Sequence, residues 1–384
     1  MTKKRGKWLL GFVILLNVAI IATGKTYLYK GVANTYLKGK KGADIDEYRI
    51  FANREVKTGT HQPWPEGPDY NKIDLPKELR EELEELKSVA YLIIVNDSIR
   101  AEEYWEGYSS DSYTNSFSMA KTIISMLTGI AIKEGKIKSV DQKIGDFLED
   151  FAEGENNKVT VKHLLTMSSG INFSENYTNP LGFMAQAYFG TDLRELVTTK
   201  ENVEEPGVVF EYLSGNTILL SLVLEKATGQ SVSDYASEKL WKPLGTKNAA
   251  FWSLDDDGGV EKAYCCFNSN ARDFARLGQL YLKNGNWKEK QIVPADFVAA
   301  SIIPADLVEK DNGEKLKRYG YSWWMCDYRN DHVYLAEGYK GQYIVVIPSK
   351  NAVIVRLART RAKEKIQRLP KDLFSYLDHV MDTY

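Results

Sequence analysis

Cysteine is scarce in this sequence: three residues in 384, at Cys265, Cys266 and Cys326. No Cys-x-x-Cys spacing occurs, and adjacent cysteines rarely bridge each other, so neither a disulfide framework nor a thiolate zinc site is expected. Histidine is nearly as rare, with four residues: His61, His163, His332 and His379. None stands with Cys, Asp or Glu at metal-ligand spacing, and His-Glu-x-x-His is absent. Also missing are the Gly-x-Ser-x-Gly elbow of α/β-hydrolases and the glycine-rich loops that hold phosphates. Charge of one sign is lacking too: the formal net charge is -2, which gives no electrostatic argument for nucleic acid or for acidic substrates. What is present, 43% hydrophobic and 27% charged residues, describes a globular chain long enough for one large domain or two ordinary ones.

The N-terminus reads as a targeting segment. Lys3, Lys4, Arg5 and Lys7 precede an apolar run from Trp8 to Ile21, interrupted by Asn17. The basic flank predicts an N-terminus in the cytoplasm and everything after it outside. Residues 1–24 are expected to be either a transmembrane anchor or a cleaved signal. The chain would then be a cell-envelope protein, membrane anchored through this segment, or a secreted one. Residues 25–73 are polar, with Gly and Pro clusters, and read as a linker or arm partly packed through its aromatics.

Residues 74–384 carry the remaining pattern. Leu79, Leu83 and Leu86 recur at helical spacing behind Asp74. A hairpin follows, Ala90–Val95 and Ile99–Trp105 around Asn96-Asp97. From about 140 to 303 the pattern is mostly helical, with Thr160 and Asn270 or Ser269 as caps and Gly229 as a stop. Strand character returns at 319–326, 333–336, 342–347 and 352–358, and a helix spans about 363–380. Strands split by a helical insertion but joined by hairpins predict an α+β fold. It would consist of one antiparallel sheet flanked by N- and C-terminal helices, with an all-helical lobe and a cleft between the two.

Ser118-Met119-Ala120-Lys121 is the sole Ser-x-x-Lys in the chain, and it opens an apolar run through Ile132. On a helix, residues three apart share a face, so the hydroxyl and the amine would be neighbours at its N-terminus. A lysine buried there should have a depressed pKa and can act as a base toward the serine. A bland explanation, a lysine snorkelling from a core helix, competes with this. A serine–lysine pair also needs a group to deliver a proton to the leaving group. Among the Tyr-x-Ser and Tyr-x-Asn matches, Tyr212-Leu213-Ser214 stands out because it sits in a loop directly before an apolar helix. Backbone donors for an oxyanion would come from Ser118 and from the glycine-rich Gly338-Tyr339-Lys340-Gly341-Gln342. The aromatics Tyr177, Phe183, Tyr188, Phe189 and Trp252 are candidates for the cleft or for the core of the lobe.

Ser118-Met119-Ala120-Lys121, Tyr212-Leu213-Ser214 and Tyr339-Lys340-Gly341 together resemble the serine β-lactamase and penicillin-binding-protein superfamily. The resemblance is strongest to its class C-related branch of esterases, D-stereospecific peptidases and 6-aminohexanoate-dimer hydrolases. His163-Leu164-Leu165-Thr166-Met167-Ser168-Ser169-Gly170 supports it. The resemblance implies Ser118 as acyl-accepting nucleophile, Lys121 as base, Tyr212 as proton relay, and the amides of Ser118 and Gln342 as the oxyanion hole. It implies no metal or organic cofactor. Tyr339 stands where a cation commonly binds a substrate carboxylate, and Ser214 where many relatives have Asn. The reading is an exported serine hydrolase acting on a small or peptide-like ester or amide. Two alternatives remain: a cell-wall D,D-peptidase or β-lactamase, and a non-catalytic binding or sensor domain on the same fold.

Overall fold

A computed structural model describes residues 3–40 and 42–384. Its main sheet contains β1 (Ser88–Val95), β2 (Ser98–Tyr104), β3 (Trp324–Tyr328), β4 (Asp331–Gly338), β5 (Gln342–Ile347) and β6 (Ala352–Ala358). The strand order is β3-β4-β5-β6-β1-β2, antiparallel throughout. Asn96 and Asp97 both take positive φ, 52° and 64°, as the tight turn between β1 and β2 requires. Pairing of β1 with β6 joins sequence from both sides of the long insertion into one sheet.

The principal helices are α1 (Lys3–Ala22), α2 (Tyr27–Asn34), α3 (Lys77–Glu85), α4 (Met119–Lys133), α5 (Ser214–Thr228), α6 (Ala271–Leu282) and α7 (Asp372–Thr383). Side chains alternate across the sheet with period two, and both faces are covered. Tyr91, Ile93, Tyr343, Val345 and Ile354 bury against Leu79 and Leu83 of α3 and Leu373, Phe374 and Leu377 of α7. Leu92, Ile94, Ile344, Val346 and Val353 face the other way, toward α4 and α6. Gly278 lets α6 approach closely, since a Cβ there would lie 2.6 Å from a methyl of Val353. Every residue of α4 from Met119 to Ala131 is buried, as expected for a helix apolar on all sides.

The α+β architecture agrees with the sequence reading, with three corrections. The lobe is not all-helical: a second antiparallel sheet orders strands Asn53–Val56, Ala250–Ser253, Phe267–Ser269 and Thr114–Asn115. Strands of two to four residues leave too little alternation to be read. Helix α6, expected in the lobe, packs instead on β5 and β6. The final helix begins at Asp372 and not near 363, because Lys365–Ile366 pairs with Leu369–Pro370.

Residues 25–73 are likewise more than a linker. Asn53–Val56 is the edge strand of the second sheet, and α2 packs on the short helix Phe183–Phe189, where a Cβ on Gly31 would meet the Phe189 ring at 3.3 Å. Tyr29 donates to the Asn17 side chain at 2.6 Å and so ties α2 to α1. The apolar side chains of α1 from Trp8 to Leu16 are exposed. Among the described residues, no single helix is long and apolar enough to cross a membrane. The pair Lys7–Ala22 and Tyr27–Lys38, bent by 120°, meets length and composition only when taken together.

Candidate active site

Strand Thr114–Asn115 delivers the chain to the N-terminus of α4. Phe117 has φ 44°, a left-handed conformation that costs a non-glycine residue about 1–3 kcal/mol. The Asn115 side chain holds it there by accepting from the Phe117 amide at 2.8 Å. Ser118 follows at the N-cap of α4, with helical φ −66° and ψ −7°, and its side chain does not cap the helix. The hydroxyl is therefore free to face outward.

Lys121, one turn on, is 1% exposed. Its Nζ reaches Ser118 Oγ and the Tyr264 carbonyl oxygen, each at 2.9 Å. Burial strips water from the ammonium and lowers its pKa to about 8, while the carboxylate of Glu175 opposes the shift. The ring of Tyr212 lies 5.0 Å from the same Nζ. Desolvation pushes the Tyr212 phenol well above its ordinary value, as does Tyr319 to a lesser degree, whereas the Ser118 hydroxyl lowers it. The phenol is accordingly protonated at neutral pH.

Thus three of the residues singled out from sequence, Ser118, Lys121 and Tyr212, come together. The others fall differently. Ser214 is fully buried at the start of α5, and both its amide and its hydroxyl donate to Glu175, at 2.7 and 2.6 Å. The Tyr177 hydroxyl donates to the same carboxylate. Glu175 was not singled out from sequence, and a lone acid in a polar loop offers no signal that could have found it.

Tyr339, Lys340 and Gly341 form the turn between β4 and β5. The turn is tied back by Gly341 N–H to the Gly338 carbonyl at 3.2 Å. A Cβ on Gly338 would overlap the Ser116 carbonyl oxygen, so glycine permits this hairpin to press against the segment before the nucleophile. Phe117 meets Tyr339 edge to face at 5.4 Å.

Gln342 takes a structural place. It is fully buried, and its side-chain amide donates to the carbonyls of Tyr339 at 3.2 Å and Ala358 at 2.6 Å. Among the described residues, the amides of Ser118 and Tyr339 have no hydrogen-bond acceptor. Ser118, one of the two donors the sequence reading assigned, is thus free, and a further free amide stands at Tyr339 in the turn. Gly341, at φ 83°, lies behind the turn, where its carbonyl accepts from Arg356 at 3.2 Å. Lys340 turns away from the cleft to Asp44, 3.2 Å distant.

A cavity of about 230 Å³ adjoins Ser118. Tyr177, Tyr188 and Phe189 belong to its wall, together with Tyr339 and residues of α2; Phe183 and Trp252 are buried elsewhere in the core. Cys265 lines it as well, bonded to Cys266. This vicinal disulfide overturns the expectation that the adjacent pair stays unbridged. Cys266 has φ 65°, which reverses the chain locally and brings the two side chains to one side. Among the described residues, no group of His, Cys, Asp and Glu could hold a metal ion.

Comparison with known proteins adds to this geometry. The profile of the beta-lactamase family matches residues 77–373. The chain is 25% identical over 304 residues to a 6-aminohexanoate-dimer hydrolase of Paenarthrobacter ureafaciens, covering 73% of this chain and 75% of that protein. A solved structure from Bacillus anthracis, described as a candidate 6-aminohexanoate-dimer hydrolase, superposes with a TM-score of 0.74 at 21% identity, covering 88% and 91% of the two chains. A family VIII carboxylesterase superposes with a TM-score of 0.64 at 14% identity, over 83% of this chain and 98% of the other. At these identities the superpositions speak for the fold.

Proposed function

The chain belongs to the beta-lactamase family of serine hydrolases, and on that premise we propose that it cleaves an ester or amide through an acyl-enzyme on Ser118. The observation that carries this reading is the 2.9 Å contact between Ser118 Oγ and a buried Lys121 whose pKa is lowered to about 8. Neutral Lys121 takes the Ser118 proton as Oγ attacks the carbonyl carbon. The amides of Ser118 and Tyr339, lacking other acceptors, then receive the developing oxyanion. Tyr212, protonated and beside Lys121, relays a proton to the leaving group. Water then attacks the acyl-enzyme, with the same groups acting in reverse.

The substrate carries no carboxylate bound by this hairpin. Tyr339 occupies the site where relatives have a cation, and Lys340 is spent on Asp44. This disfavours cell-wall peptides and β-lactams. We further propose that the catalytic region works outside the cytoplasm, on the strength of the basic residues before the apolar run of α1.

The test is Ser118→Ala. Turnover of p-nitrophenyl acetate, and labelling by a fluorophosphonate, should vanish while the circular dichroism spectrum is unchanged. Activity retained in that variant would end the proposal. Stable labelling of the native protein by a fluorescent penicillin would favour the peptidase reading.

A further inference from the structure

We propose that the cavity beside Ser118 is a pocket for an uncharged, apolar acyl chain, and that helix α2 of the N-terminal arm forms one of its walls. The inference rests on the serine-hydrolase reading and names the substrate class of that site.

Chemistry of the wall carries it. Leu28 and Val32 of α2 stand on one side; Met184 and Phe189 stand on another, and Tyr339 stands near the mouth. Among the described residues, none that lines the cavity carries a charge. Lys121 meets the cavity only at the Ser118 hydroxyl, and the cations behind the Tyr339 turn are committed elsewhere: Lys340 and Arg359 each lie 3.2 Å from the Asp44 carboxylate. An ionic group placed in this space would lose its water and find no partner, which is costly. An alkyl chain would gain by leaving water.

Position assigns the chain to the acyl side of the scissile bond. Ser118 borders the cavity, whereas Lys121 and Tyr212 are absent from its wall. The leaving group must sit within reach of the proton donor Tyr212. The part of the substrate pointing away from Tyr212, into the cavity, is therefore the acyl group. Val32 is exposed at 44%, an apolar side chain with no core to fill. A substrate chain would cover it. The arm is thus a specificity element and not a tether: α2 is held over the cavity by packing on helix Phe183–Phe189 and by the Tyr29–Asn17 bond.

The experiment is a chain-length series of p-nitrophenyl esters, each rate divided by that of hydroxide hydrolysis. kcat/KM should rise by about fourfold per methylene fully buried, roughly tenfold or more from acetate to butyrate, and level off once the cavity is filled. Val32→Asp should bring the butyrate-to-acetate ratio close to one. Met184→Phe should move the optimum to a shorter chain, a shift that loss of folding alone does not produce. In parallel, octanamide should bind the Ser118→Ala protein at least tenfold more tightly than acetamide, measured by calorimetry.

Ser118-dependent hydrolysis with kcat/KM flat or falling along the series would overturn the acyl pocket and leave the hydrolase reading standing. Octanamide binding without turnover of any ester would support the pocket and overturn the hydrolase. Neither turnover nor binding would remove both.

Discussion

Replacing Lys121 with methionine separates what the site needs from what the fold needs. With the amine at a pKa of about 8, about one tenth of the molecules hold it neutral at pH 7 and about nine tenths at pH 9. Acylation should therefore speed up about tenfold between these values in the native enzyme, read as kcat/KM for p-nitrophenyl butyrate. In Lys121→Met the rate should drop by about 10²–10⁴-fold, the usual worth of a positioned base, and the pH limb should disappear.

Stability moves the other way. Lowering the pKa from 10.5 to about 8 disfavours the folded, charged state by about 3 kcal/mol at pH 7. Methionine escapes this but strands the Tyr264 carbonyl, at a cost of about 1–3 kcal/mol, so the variant should be between equal to the parent and about 2 kcal/mol more stable. Because the folded pKa is the lower one, the unfolded chain binds the extra proton between pH 8 and 10.5. Native stability should rise with pH across that window, and less so in the variant. Guanidinium unfolding at pH 7 and 9 measures it. A native kcat/KM that is flat from pH 7 to 9, or a variant destabilised by more than about 2 kcal/mol, would refute the assignment of Lys121 as a buried base.

Three further outcomes follow from named contacts. Glu175→Gln removes the charge that raises the Lys121 pKa, so the rising limb of the pH–rate profile should move to lower pH; an unmoved limb would show the two groups uncoupled. Gly338→Ala forces a Cβ onto the Ser116 carbonyl and should cut kcat/KM by at least about tenfold through displacement of the chain entering Ser118, with parental KM and kcat counting against that close approach. Arg356→Met leaves Asp372 buried without its partner, 3.6 Å away in the parent, and should cost about 3–5 kcal/mol in denaturant unfolding. Adding Asp372→Leu should recover part of that loss, and a double variant no better than the single one would deny the pairing.

The sequence made the local half of the site legible. Ser118 and Lys121 share one turn of a helix whose apolar run is unmistakable, and Tyr212 announces itself by the helix it precedes. The main strands follow from short β-rich apolar runs between turn signals, although β3 begins at Trp324 and not near 319, and helix α3 follows from its period-3.6 spacing. What escaped depends on where chain segments distant in sequence meet. The free amide of Tyr339 went unread because the geometry of a hairpin turn, not its glycine content, decides which amides are left without acceptors. Tyr177, Tyr188 and Phe189 reached the cavity while Phe183 and Trp252 entered the core, and composition treats all five alike. The arm read as a linker because α2 has eight residues and gains its stability from packing, not from propensity. The Cys265–Cys266 bond depends on one positive φ that a cysteine does not advertise.

A glycine at position 117 would adopt φ 44° without strain, yet the chain has phenylalanine there. The ring accounts for the choice. It is buried and meets Tyr339 edge to face, so it packs the start of α4 against the turn that carries Tyr339. Glycine would release about 1–3 kcal/mol of strain and would forfeit the contact that sets the β4–β5 turn against the start of α4. The same logic governs Lys121, whose burial costs stability, and the two free amides, which go without bonds the fold could otherwise make. Each local sacrifice falls within one turn of Ser118 or on the hairpin facing it. Comparable concessions occur elsewhere in the scaffold, such as the fully buried Lys262 and the φ of 57° at Met167, but these three converge on one hydroxyl. That distribution is expected where backbone and side chains are preorganised for a charge that develops only during reaction.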